Sequence, residues 1–231
     1  MKKIFKYLMP AIPIFSYFLI PSNSSISNSF FPSYSKDPQT QHIIDSLNSA
    51  NRQSQLERIA QFEEQKKLVE KIKKFNAEKD PIYLTEKELD TYINKLYKKG
   101  IAPKEISKQL FKEIIKKESG GNIYATHKET KARGLGQLLE NAWNDTEKEI
   151  SYIDGVYNPE KNLEVSLRYL RDLKNMLKKY NPKYSSLTEK EKAQQILASY
   201  NWGIGSLKEV NFNISRIPKE TKKYLKKLKL I

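Results

Sequence analysis

The chain is predicted to be mainly α-helical. Apolar residues recur at helical spacing in several segments, capping boxes and glycines bracket those segments, and no run alternates convincingly at period two. At most a short hairpin fits, around Gly134 to Leu139. With 231 residues, the chain has room for one core of moderate size and a smaller helical region. Its 38% hydrophobic and 30% charged residues suit a soluble globular protein.

Residues 1–27 read as a signal peptide. Met1-Lys2-Lys3 and Lys6 precede an apolar run from Tyr7 to Ile20, which Pro10 and Pro13 interrupt. The run is short for a bilayer span, and small polar residues follow it, with a usable cleavage point at Ser25-Ile26-Ser27. An uncleaved N-terminal anchor is the alternative. Export is the better reading, to the periplasm or another cell-envelope location. Residues 28–39, rich in Ser, Pro and Asn, are expected to form a flexible linker.

Residues 40–80 are polar, with a narrow stripe of Ile43, Ile44, Leu47, Leu56, Ile59, Leu68, Ile72 and Phe75. The stripe fits one side of a coiled coil, or a long helix lying against the main domain; its irregular seam favours the latter. Asp80-Pro81 ends the segment. The main domain is then 81–231. Thr85 with Glu88 makes a capping box for a helix that stops at Gly100. Pro103 suits the start of the next helix, with Ile106, Leu110, Phe111, Ile114 and Ile115 inward and an end at Gly120-Gly121. After a loop-rich stretch, Leu163, Leu167, Leu170, Leu173 and Leu177 mark a long amphipathic helix. Thr188 and Glu191 cap another, which ends in the turn at Asn201 to Gly205. A last helix follows Pro218, with basic residues toward its C-terminus, where the macrodipole favours them.

Lys and Arg outnumber Asp and Glu by 42 to 27, for a formal charge of +15. Such a field draws a protein toward polyanions, including nucleic acid, anionic lipid and the carboxylate-bearing peptides of a wall. The absence of Cys excludes disulfides, thiolate metal sites, a Cys nucleophile and a lipoprotein anchor. Two histidines, His42 and His127, leave little basis for a zinc site, so neither metal nor cofactor is expected.

Glu118 falls four residues after Ile114, three after Ile115 and seven after Phe111, on the apolar face of its helix. It also occupies the last turn, where the helix dipole disfavours an anion. Dipole and desolvation both favour a carboxyl that stays protonated, as an acid catalyst requires. An inward Glu paired with Lys or Arg is the structural alternative.

Neighbouring motifs sharpen this. Glu118-Ser119-Gly120-Gly121-Asn122, Ala132-Arg133-Gly134-Leu135-Gly136-Gln137-Leu138-Leu139, Asn162-Leu163 with Tyr169-Leu170, Ala198-Ser199-Tyr200-Asn201-Trp202-Gly203 and Ile217-Pro218-Lys219-Glu220-Thr221-Lys222-Lys223-Tyr224 follow in order. Together they resemble the soluble lytic murein transglycosylase (SLT-type) domain of the lysozyme-like superfamily, with core motifs over 101–231. The chain departs from the family pattern at His127, Lys131, Gly136, Leu139, Glu140 and Trp202, all in loops expected to shape the glycan groove.

The resemblance implies a lyase that cleaves the β-1,4 bond between N-acetylmuramic acid and N-acetylglucosamine without water, leaving 1,6-anhydromuramyl ends. Glu118 is the implied acid/base. Tyr200 is placed near it at a helix end, as a hydrogen-bond partner or a core aromatic. Ser119 and Gln137 are expected on sugar or peptide groups of the substrate. Asn201 is assigned to loop bracing or substrate, Trp202 to sugar stacking or loop packing, and Tyr224 to the cleft or to packing. The implied partner is the peptidoglycan glycan strand, with an anionic wall or membrane surface as a second. Nucleic acid is disfavoured by the leader and by the lack of a binding motif. A goose-type-like muramidase and a catalytically decayed wall-binding protein are the rival readings. Oligomeric state is not encoded legibly.

Overall fold

A computed structural model describes residues 38–231, so the expected signal peptide and all but the end of the linker lie outside the described residues. The chain divides between Leu68 and Val69 into two units. Helix α1, Pro38–Asn76, begins in the first and ends in the second. Along its first part Ile43, Leu47, Leu56, Ile59, Phe62 and Leu68 are exposed. No helix among the described residues is long and apolar enough to cross a membrane.

The second unit is a helical domain. Helix α2, Glu86–Lys98, opens with the capping box at Thr85 and Glu88 and buries Leu89, Ile93 and Leu96. Helix α3, Lys108–Ser119, starts later than Pro103 suggests. Ser107 is its cap, accepting from the Leu110 amide, while Pro103 anchors a separate turn through the Ile106 amide. A polar cap satisfies an orphan helix N–H, which proline cannot do. Two short helices, α4 (Glu140–Thr146) and α5 (Tyr152–Gly155), lie in the stretch expected to be loop. They are too short to show a repeat, and tertiary contacts of Trp143 and Tyr152 hold them.

Helix α6, Pro159–Tyr180, and helix α7, Glu189–Trp202, pack on each other at the centre. The α7 capping box at Thr188 and Glu191 forms as expected. Helix α8, Ile204–Glu209, packs on both central helices, and α9, Lys219–Lys227, packs on α7. Leu163, Leu167, Leu170, Leu177, Ile196 and Leu197 are fully buried, each such side chain being worth about 2 kcal/mol. A smaller cluster of Leu138, Trp143, Tyr152, Val156 and Val165 underlies the 122–138 loop. That loop holds isolated antiparallel bridges, Thr126 with Arg133 and Arg133 with Leu138, where the hairpin is expected.

Candidate active site

Helix α3 places Glu118 one turn beyond Ile114 and Ile115 and two beyond Phe111, all three fully buried. The helix ends at Gly120 in the left-handed conformation, φ 63°, which closes it through the Lys116 carbonyl. Glu118 is therefore held inward in the last turn. Its Oε1 is buried and makes no conventional hydrogen bond. Burial pushes its pKa above the ordinary carboxylate value, and the Tyr224 hydroxyl and Lys117 charge oppose that rise.

Tyr224 reaches the same spot from α9. Its ring is buried and its hydroxyl, like Glu118 Oε1, lacks a conventional partner. The two groups nonetheless perturb each other's ionisation. They are neighbours whose geometry falls short of a well-formed bond. Burial, then the Glu118 charge, pushes the Tyr224 phenol well above 10, so it stays a neutral donor.

Tyr200 enters from α7. It feels the Glu118 charge, and burial is the larger cause of its raised pKa. Its hydroxyl donates to the Gly136 carbonyl at 2.6 Å, not to Glu118. On the other side of the same glycine, the Gly136 amide donates to Asn162 Oδ1 at 2.8 Å. Asn162 is fully buried on α6 and gives its Nδ2 proton to Val156 O at 2.8 Å. A Cβ on Gly136 would lie 2.0 Å from Ser166 Oγ and 3.0 Å from the Tyr200 hydroxyl. Ser166 and Tyr200 thus leave no room for a side chain at position 136.

Gln137 follows in the left-handed region, φ 48°. Its Nε2 donates to Ala125 O at 3.1 Å and Gly134 O at 2.9 Å, so the amide braces the loop and leaves Oε1 as an acceptor. Lys131 also has a positive φ of 63°, the conformation glycine adopts most easily. Ser119 is committed locally: its hydroxyl donates to Ile115 O at 3.2 Å and accepts from the Gly121 amide at 3.1 Å. Asn201 is exposed at the end of α7, and Trp202 is half-buried against the core. His127 is exposed, with Nδ1 accepting from the Glu129 and Thr130 amides. The fold thus gathers Glu118, Tyr200 and Tyr224, with Gln137 in the loop that Tyr200 holds.

Asn162 enters the sequence reading only as part of a motif, with no role assigned, and Ser166 is passed over; both pack against the Gly136 loop. A signal was available, since both are polar yet lie i, i+4 on the apolar stripe of α6. A surface hollow lined by Asp154, Asn158, Glu160, Lys161 and Glu164 shares no residue with this cluster.

The domain is helical, with an inward acid at the end of one helix. Residues 95–222, more than half of the chain, match the model for the transglycosylase SLT domain. The chain belongs to this family, which lies in the lysozyme-like superfamily. The family's enzymes are lytic transglycosylases and generally extracytoplasmic, and the domain implies a peptidoglycan substrate. A search of the curated proteins finds no match to the chain.

Proposed function

We propose that the chain is a peptidoglycan lytic transglycosylase with Glu118 as its acid and base. The observation that carries this reading is a mostly buried carboxyl, raised in pKa by burial and left without a conventional partner. A glycosidase with a water nucleophile ordinarily needs a carboxylate pair. One acid suffices if the substrate brings its own nucleophile.

Glu118 donates its proton to the glycosidic oxygen, and the bond from the muramyl anomeric carbon to that oxygen breaks. The new carboxylate accepts the proton of the muramyl C6 hydroxyl while that oxygen bonds to the anomeric carbon. The products are a 1,6-anhydromuramyl end and a free N-acetylglucosamine 4-hydroxyl, with Glu118 protonated again. Tyr224 is positioned to donate to the carboxylate during its ionised interval. Tyr200 holds the Gly136 carbonyl, and with it the loop bearing the Gln137 Oε1 acceptor. Ser119, Asn201 and Trp202 remain candidates for contacts farther along the glycan, at the C-terminal ends of α3 and α7.

Glu118→Gln tests the assignment. It keeps the shape and removes the proton, so purified wall suspensions cleared by wild type should stay turbid. Equal clearing by both proteins, or by neither, would favour the binding-protein reading. Export, expected from residues 1–27, accords with a substrate outside the cytoplasm.

A further inference from the structure

The end of α1 lies outside the residues matched to the family, yet it grips the loop that carries Gly134 to Gln137. Arg133 is buried at 9% exposure. Its Nη2 donates to Asn76 Oδ1 at 2.8 Å, and its Nη1 donates to the Tyr157 hydroxyl at 2.6 Å. Its guanidinium lies 4.3 Å from the Phe75 ring centroid. Phe75 also packs on Tyr157 at 5.4 Å and Tyr152 at 5.9 Å. Lys79 closes the cluster, donating to Phe75 O at 2.8 Å with its ammonium 4.8 Å from the Tyr157 ring.

Burying a guanidinium is costly unless its donors are met and its charge is compensated. No carboxylate meets Arg133 among the described residues; an amide oxygen, a phenol and an aromatic face do so instead. That arrangement fixes the direction of a planar group better than an exposed ion pair would. Arg133 is also the hub of both loop bridges, pairing with Thr126 and with Leu138. The next residues are Gly134, whose absent Cβ would meet Asn162 Nδ2 at 2.3 Å, and Gly136, which Tyr200 holds. A shift of Arg133 therefore passes into the loop that Tyr200 and Asn162 hold.

We propose that Arg133 is a positioning residue that couples the end of α1, through Phe75 and Asn76, to the 134–137 loop of the active site. The last turn of α1 is then part of the catalytic unit. The coupling itself rests on contacts within the domain, and only its effect on turnover depends on the reaction proposed above.

The test uses the full chain and two readouts. Amide hydrogen exchange in Arg133→Ala and in Phe75→Leu should show lost protection at Gly134, Gly136 and Leu138, with α6 and α7 protected as in wild type. Turnover on purified peptidoglycan should fall about 10- to 100-fold in kcat, with a smaller change in KM, as misplaced site groups produce. Phe75→Trp keeps an aromatic face under the guanidinium and should retain both properties. Phe75→Leu leaves the loop sequence untouched, so it decides the matter if Arg133→Ala does not fold. Unchanged loop protection, or protection lost uniformly through the domain, overturns the coupling. If wild type releases no glycan, the reaction proposed above fails, while the exchange data still decide whether Arg133 couples the two elements.

Discussion

At Glu118, stability and chemistry pull in opposite directions. A carboxyl whose folded pKa is raised gives stability that is complete below its unfolded value and lost as pH rises through the folded one. At neutral pH the domain must either keep that proton or bury a charge. Glu118→Gln should therefore abolish glycan release yet raise thermal stability at neutral pH by about 1 kcal/mol, or about 2–4 °C. The gain should vanish near pH 4, where the wild-type carboxyl is protonated; melting curves at the two pH values check this. Tyr224 lowers the same pKa, because its hydroxyl favours the carboxylate. Tyr224→Phe removes that influence, so the carboxyl pKa should rise further. The alkaline limb of the kcat/KM profile, where the acid loses its proton, should move to higher pH, and a pH–rate series measures the shift.

Among the elements, the 134–137 loop leaves little room for added side chains at Gly134 and Gly136. Gly136→Ala would place its Cβ 2.0 Å from Ser166 Oγ. Substitution should destabilise the domain by about 1–3 kcal/mol, the usual cost of overpacking. Adding Ser166→Ala should recover part of the loss, since the closest atom is then gone, and a double-mutant cycle by chemical denaturation measures the coupling. Asn162→Ala should cost about 3 kcal/mol, because it strands the Gly136 amide and the Val156 carbonyl. The sequence made the long helices readable through their caps and stripes, and it placed Glu118 inward. It could not show that the Tyr200 hydroxyl closes on Gly136 instead of the acid, since that bond joins residues 64 apart. Nor could it show α4 and α5, whose Trp143 and Tyr152 take their places only from tertiary packing. The early start expected for α3 failed for a local reason: Ser107 offers the side-chain acceptor that Pro103 lacks.

Across the molecule, the excess of basic residues gives the chain a formal charge of +15. If that field holds the protein near an anionic wall, co-sedimentation with purified sacculi should weaken as salt rises from about 0.05 to 0.5 M, where the screening length falls below about 10 Å. In the proposed reaction, one protonated carboxyl and the sugar's own hydroxyl perform the cleavage. The most direct test is digestion of purified peptidoglycan in heavy-oxygen water, with the released fragments weighed by mass spectrometry. Fragments lighter than hydrolysis products by one water, and free of the heavy isotope, are the expected result. Reducing-end fragments that have taken up the heavy oxygen would contradict it, because water would then be the nucleophile.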